Sequence, residues 1–168
     1  MANLIYTLPE TAIVFTETGG DAVFTPKNVA NGPGRVSAQF DRGAGAKAMR
    51  YRVEAQFKTA ANITPGTAGV QAEVYIATAH IAAATVDSGL GQSDAALSTR
   101  NSLLNAFLVG TIVPTGTAAG VGPFNRSWVV EILARYISVA LWDASGQSFT
   151  NVDGDNFIKL VPMPDQIQ

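Results

Sequence analysis

The chain has 168 residues, enough for one domain with a substantial core, and 47% of the residues are hydrophobic. Only 14% are charged, and the 11 basic and 13 acidic residues include no run of Lys or Arg, so the composition argues against a basic nucleic-acid-binding surface. Cysteine is absent, which excludes disulfides, thiolate nucleophiles and Cys-ligated metals. A surface this poor in charge is typical of a protein that packs against neighbours.

The N-terminal segment is apolar from Leu4 to Leu8, with Thr7 the single exception, and Pro9 separates it from the next strand. It has no basic region ahead of an apolar core, so we expect synthesis in the cytosol without a signal peptide. No apolar run approaches the roughly 18 residues that would predict a membrane span. We predict that residues 1–9 form an arm, whose candidate assembly interface is Leu4, Ile5, Tyr6 and Leu8. An ordinary first strand of the same domain is the alternative.

Apolar and polar residues then alternate with a period of two, which predicts strands. The clearest case is Arg50–Lys58, where Tyr51, Val53, Ala55 and Phe57 share one face. In chain order, the predicted strands are Thr11–Thr16 and Ala22–Thr25, joined as a hairpin by Thr18–Asp21, then Arg35–Phe40, Arg50–Lys58, Val70–Thr78, Leu108–Val113, Trp128–Leu133, Arg135–Trp142 and Phe157–Val161.

The remaining signals complete a prediction of fold. Ser93 and Asp94 precede a segment that predicts one short helix over Ala95–Asn105, or over its second half from Ser98. Pro162 lacks a ladder donor and is predicted to end the last strand, leaving residues 162–168 as a C-terminal tail. The sequence predicts a single all-β domain over residues 1–168. Its expected form is a two-sheet antiparallel sandwich, jelly-roll-like, with wide loops.

Residues capable of catalysis or metal binding are sparse. His80 is the single histidine, and no nucleophile elbow accompanies it. Asp153 and Asp155 flank Gly154 but lack the spacing of a calcium loop, so a turn is the better interpretation. The carboxylates that a glycosidase would need on facing walls sit on three different strands, at Glu54, Glu73 and Glu131. We predict no enzymatic activity, no cofactor and no metal site.

Three aromatic residues lie on the less apolar faces of their strands: Tyr75, Tyr136 and Trp142. Exposed rings of this kind can stack on sugars, whereas buried ones would be core or interface anchors. The sequence leaves both interpretations open.

A set of segments distributed over nearly the whole chain suggests a family. They are Leu4–Pro9, Gly19–Asp21, Val74–Thr78, Asp94–Ser98, Leu103–Leu104, Phe107–Val113, Glu131–Tyr136, Trp142 and Val161–Asp165. In pattern and composition the chain resembles small bacteriophage virion proteins of the capsid decoration, or cement, type that coat tailed-phage heads.

The resemblance implies a jelly-roll-like structural protein on the virion surface, made in the host cytoplasm. Its implied partners are the major capsid protein and other copies of itself, with a trimer expected first and a dimer next. It would stabilise the shell by bridging neighbouring subunits. The charge distribution and the lack of a long apolar run separately predict no binding to nucleic acid or membrane. The alternative is a receptor- or carbohydrate-binding virion domain that uses the aromatic residues.

Overall fold

A computed structural model describes residues 10–45, 47–65, 69–82, 90, 93–115 and 120–163. These residues form strands and one short 3₁₀ helix, Arg100–Leu103. The strands are β1 (Ile13–Thr16), β2 (Ala22–Val23), β3 (Gly34–Val36), β4 (Phe40–Asp41), β5 (Arg50–Phe57), β6 (Gln71–Ala79), β7 (Ala95–Leu97), β8 (Phe107–Ile112), β9 (Phe124–Glu131), β10 (Tyr136–Ala144) and β11 (Phe157–Met163).

The strands form two sheets that pack as a sandwich. Sheet A has the order β2-β1-β11-β5-β9, and sheet B has the order β7-β3-β10-β6-β8, with β4 also pairing with β10. Without the short strands β2 and β7, each sheet keeps four antiparallel strands in the order of a jelly roll. Among these eight strands, only the connection from β6 to β8 stays within one sheet. The predicted all-β sandwich is confirmed.

The main core lies between the sheets and follows the alternation in the sequence. Tyr51, Val53, Ala55 and Phe57 of β5 point inward and are almost fully buried, while the alternate side chains of β5 face outward. Sheet B contributes its own inward row, which includes Ile137, Val139 and Leu141. Burial of such side chains stabilises the fold by roughly 1.5–3 kcal/mol each.

A second apolar cluster lies on the outer face of sheet B, beneath Leu90 and residues 93–106, the described part of the segment 90–106. Strand residues Val36, Tyr75, Ala77, Ala140 and Trp142 form its floor. Leu90, Leu97 and Leu103 cover them. Both faces of sheet B are therefore buried along much of β6 and β10.

A helix over the whole of Ala95–Asn105 is wrong, whereas the alternative that confined it to the second half from Ser98 agrees with the 3₁₀ helix. Ala95–Leu97 forms β7, which pairs with β3, and only Arg100–Leu103 is helical. Asp94 does not cap a helix, because its carboxylate accepts hydrogen bonds from Arg35 and Thr25 instead. A tertiary ion pair and an open sheet edge have overridden the local helix propensity.

The predicted hairpin at Thr18–Asp21 is also wrong, because β1 and β2 pair in parallel. The chain loops back instead of reversing, and the backbone N–H of Asp21 donates to the carbonyl of Val14 at 2.8 Å. Gly20 permits this close return, since a Cβ there would lie 2.7 Å from the Val14 carbonyl oxygen.

The last strand does not stop before Pro162. It continues to Met163, with Pro162 opposite Tyr51 of β5. The neighbouring strand β1 begins at Ile13, opposite Leu160, so Pro162 lies beyond the end of that ladder. A missing N–H costs little where no strand would accept it. The predicted tail therefore begins at residue 164 at the earliest, outside the described residues.

Candidate assembly surface

Glu10, the first described residue, anchors the chain at one end of the sandwich. Its Oε2 accepts hydrogen bonds from the Tyr51 hydroxyl at 2.6 Å and from the Ala48 backbone N–H at 2.9 Å. Burial, with the bond to Glu10, raises the pKa of Tyr51 far above its usual range, so this hydroxyl stays a donor at all physiological pH values. The candidate interface residues Leu4, Ile5, Tyr6 and Leu8 precede this anchor and lie outside the described residues.

Arg42 holds together the segments that surround the anchor. Its guanidinium is buried and donates to the carbonyls of Ile132 (3.1 Å), Ala134 (2.8 Å) and Ala48 (2.5 Å). It also donates to the Tyr51 hydroxyl at 2.6 Å. A buried cation with this many acceptors has a structural role, because it satisfies carbonyls at the end of the sandwich that no strand pairs.

A groove of about 270 Å³ opens beside the anchor, between the segments 42–49 and 132–135. Two large apolar side chains on its walls are exposed, Leu133 at 70% and Met49 at 48%. Arg135 forms a bidentate ion pair with Asp41 at 2.7 Å at the same end, and this hydrogen-bonded pair lowers the pKa of Asp41 to about 2. We call this region, from Arg42 to Met49 and from Ile132 to Arg135, the anchor end.

Met49 and Leu133 were not among the interface residues that the sequence suggested. Met49 directly precedes β5, and Leu133, which was expected to end a strand, lies beyond β9, so strand alternation does not mark either residue as exposed. Their proximity is evident only in the folded structure, where the two segments meet and the Ile132 N–H donates to the Met49 carbonyl at 2.8 Å.

The outer face of sheet A carries a second, polar groove of about 540 Å³. It crosses β11, β5 and β9, and its lining includes Glu54, Gln56, Asn125, Ser127 and the ring of Phe157. Gln56 lies directly between Asn125 and Phe157 in the register of the three strands. Amides, a hydroxyl and a carboxylate beside an aromatic ring are groups that bind sugar hydroxyls and ring faces.

The three aromatic candidates do not form an exposed platform. Tyr75 and Trp142 are 8% and 6% exposed, because the segment 90–106 covers them. Tyr136 lies at the opposite end of β10 from Trp142, where the guanidinium of Arg135 stacks 5.0 Å from its ring. The interpretation as buried anchors fits Tyr75 and Trp142.

The three candidate carboxylates do not face one another across a cleft. Glu54 and Glu131 are on the outer face of sheet A, and Glu54 pairs with Arg52 at 2.6 Å. Glu73 is on the outer face of sheet B, where it accepts hydrogen bonds from Tyr75 (2.7 Å), Arg100 (2.8 Å) and Gln71 (3.0 Å). The opposite outer faces of a sandwich cannot supply an acid and a base to one substrate.

Asp153 and Asp155 are engaged in ion pairs rather than in a shared site. Asp153 accepts from Lys27 at 2.7 Å, and Asp155 accepts from Lys58 at 3.0 Å. Within the described ranges, no group of three or more His, Asp or Glu side chains is arranged to hold a metal ion.

One carboxyl group, that of Asp143, is buried on the inner face of sheet B. Its Oδ1 accepts from the Ser145 backbone N–H at 2.7 Å, while its Oδ2 has no hydrogen-bond partner. Burial raises the pKa of Asp143 to about 7. The group lies within the fold and borders neither groove.

No protein-family model matches the sequence, and no curated protein shows a significant match. None of the helical residues that the structure describes forms a helix long and apolar enough to cross a bilayer. The geometry of the surfaces therefore carries the functional argument.

Proposed function

We propose that this protein is a structural virion protein that binds the outside of a phage capsid and stabilises it by bridging neighbouring subunits. The observation that carries the proposal is the anchor end. Glu10, which follows the apolar segment Leu4–Leu8 in the sequence, lies there, beside a groove with exposed Leu133 and Met49. Exposed apolar surface of this kind marks sites of protein association.

The composition supports a role in assembly. A surface with few charges suits long residence against neighbours, and among the described residues no group of His, Asp or Glu is arranged to hold a metal ion. A protein that binds the assembled shell but not the separated subunits shifts the equilibrium towards the shell. Repetition over a lattice adds avidity, so each individual contact needs only modest affinity.

The experiment uses heads of the phage that encodes this protein, prepared with its gene deleted. Purified protein is added, occupancy is measured by co-sedimentation and negative-stain microscopy, and head stability is measured by thermal disruption. We expect saturable binding and a higher disruption temperature. Heads that neither bind the protein nor gain stability would refute the proposal.

The N-terminal segment is tested by deleting residues 2–8. We expect occupancy to fall at least tenfold while the body keeps its circular dichroism spectrum, because burying Leu4, Ile5 and Leu8 is worth on the order of 1.5 kcal/mol or more each. Leu133→Asp tests the groove, and Val152→Asp, at the opposite end of the sandwich and 57% exposed, is the matched control. If the deletion variant decorates heads at wild-type occupancy, residues 2–8 are not an attachment element.

A second candidate function is carbohydrate binding by a virion domain. The polar groove on sheet A favours it, whereas the aromatic platform that the sequence left open as one interpretation is not exposed. A glycan array followed by titration of any hit tests it, with Asn125→Ala and Phe157→Ala as groove variants. Binding that survives both variants, or no binding at all, would exclude this groove as a sugar site.

A further inference from the structure

A stretch of 25 residues, from Asn101 to Asn125, contains no charged residue. It includes β8, which pairs with β6 and with no other strand in the described part of the chain. Ten large hydrophobic side chains are exposed among the described residues, and four belong to this stretch: Leu104, Phe107, Leu108 and Val113. The stretch thus combines a free sheet edge with exposed apolar side chains.

These four side chains follow the edge of sheet B from one end of β8 to the other. Leu104 (78% exposed) precedes the strand, Phe107 (62%) and Leu108 (47%) begin it, and Val113 follows its last residue. A register shift between Val74 and Tyr75 of β6 leaves Val109 unpaired, and its side chain packs against the main core. The strand is anchored through Val109 while its neighbours on the edge stay exposed. We call this stripe, Leu104 to Val113, the β8 edge.

The neighbouring sheet does not cover this stripe. Sheet A approaches β8 at Gly110, where the Trp128 indole lies so close that a Cβ would be 2.3 Å from its Nε1. That contact fills the space between the two sheets at the middle of β8. Phe107 and Leu108, which begin the strand, remain exposed. An uncovered apolar edge is a site that proteins normally protect with charge, and here charge is absent.

We infer that a second copy of this chain packs along the β8 edge, with the two β8 strands antiparallel across a two-fold axis. A two-fold interface brings the same patch of both copies together. The patch must therefore be compatible with a second copy of itself. An edge without charge meets this condition, because no like charges come into opposition. Of the other long strands, β5, β9 and β11 all carry charged side chains.

The area available predicts the strength of the contact. The four exposed side chains present on the order of 400 Å², within the roughly 300–600 Å² of a typical largest apolar patch. With adjacent backbone, two copies would bury on the order of 1,000 Å², the low end for a specific interface. We therefore expect a concentration-dependent dimer in solution. The inference rests on the proposed assembly role, in which the lattice would strengthen this contact, and it selects the dimer over the trimer.

The test measures the association of purified protein without particles by sedimentation velocity over a concentration series. Phe107→Asp and Leu104→Asp each place two like charges in the interface, and we expect each to raise the dissociation constant about 30-fold or more. Val23→Asp is the matched control, because Val23 is 50% exposed on β2, the edge strand of the other sheet. It should associate like the wild type.

A second measurement locates the contact. Since the chain has no cysteine, Leu108→Cys introduces a single thiol, and a short bismaleimide should link it into a covalent dimer. Val23→Cys should not link. A wild-type monomer at high concentration, association unchanged by both aspartate variants, or equal cross-linking of both cysteine variants would overturn the inference. A dimer that fails to bind heads would refute the proposed function but leave this interface standing.

Discussion

The outer faces of the two sheets are formed by similar alternating sequences but lie in different environments. On sheet A, the outward row of β5, Arg50 to Gln56, is exposed or half-buried. On sheet B, the outward row of β6 includes Glu73 and Tyr75, which are buried beneath the segment 90–106. Alternation predicts that one side of each strand faces outward, but it does not predict whether the outward side chains contact solvent or another segment of the chain. A covering segment, placed by tertiary contacts, makes that difference.

The covering segment is held by specific polar contacts as well as by apolar packing. Asp94 receives the Arg35 guanidinium at 2.5 and 2.9 Å and the Thr25 backbone N–H at 3.1 Å. Arg100 donates to Glu73 at 2.8 Å and lies 5.7 Å from the Trp142 ring. The buried carboxylate of Glu73 on sheet B is stabilised by its protein partners, whereas the Arg52–Glu54 ion pair on sheet A lies at the surface, where solvent also stabilises the charges.

Substitutions of apolar residues should give the largest difference between the two outer faces in the free energy of unfolding. Trp142→Ala removes the centre of the cluster beneath the segment 90–106, and we expect a loss of about 3–5 kcal/mol in the free energy of unfolding. Val129→Ala, on the outer face of sheet A and 58% exposed, should cost less than about 0.5 kcal/mol. Urea denaturation measures both. Equal losses would show that the covering segment does not exclude water from Trp142.

On the inner face of sheet B, the buried carboxyl group of Asp143 should make the stability depend on pH. Its folded pKa of about 7 lies above the unfolded value, so the folded state binds more protons between pH 4 and 7. Stability should therefore decrease as the pH rises through this window, by on the order of 2 kcal/mol between pH 5 and 8. Asp143→Asn should flatten the profile in urea denaturation at each pH. A variant that keeps the wild-type slope would assign the pH dependence to another group.

The carboxylates give the next contrast. Glu73→Gln removes the charge that Tyr75, Arg100 and Gln71 surround, and we expect a loss of about 2 kcal/mol. Glu54→Gln removes one member of a surface ion pair with Arg52 and should stay within about 0.5 kcal/mol. Because burial raises the pKa of Tyr75 to about 12, its hydroxyl should remain protonated in the folded protein at neutral pH. A Glu54 effect as large as that of Glu73 would contradict the difference in environment.

The smallest loss of stability should follow from breaking the contacts that Asp94 makes in the covering segment. Burial opposes ionisation of Asp94, but the hydrogen bonds from Arg35 and Thr25 prevail and lower its pKa. Its contribution is present above the unfolded pKa of 3.8 and is lost as the pH falls through the lower folded value. We expect Asp94→Asn at neutral pH to cost about 1 kcal/mol and to speed hydrogen exchange in residues 93–106. Exchange unchanged there would show that apolar packing alone holds the segment, and Asp153→Asn is the matched surface control.

Much of the fold could be predicted from local pattern. Period-two alternation predicted the strands at Arg50, Val70 and Arg135, because successive side chains of a strand point to opposite faces, and the absence of Cys excluded disulfides and thiolate chemistry. The uncharged stretch from Asn101 to Asn125 was not among these predictions, because it acquires a meaning only once β8 is found at a sheet edge. The parallel pairing of β2 was not predictable, since a Gly-Gly-Asp turn is compatible with either direction of pairing.

The sequence by itself determined the all-β class, the positions of most strands and the inward rows of the core, because side-chain alternation is a local consequence of strand geometry. Tertiary structure alone decided that Tyr75 and Trp142 would be covered, that Met49 and Leu133 would meet at the anchor end, and that β8 would lie at an edge. In a jelly roll, successive strands mostly change sheets. The neighbours of a residue are therefore set by contacts far along the chain, which no local pattern encodes.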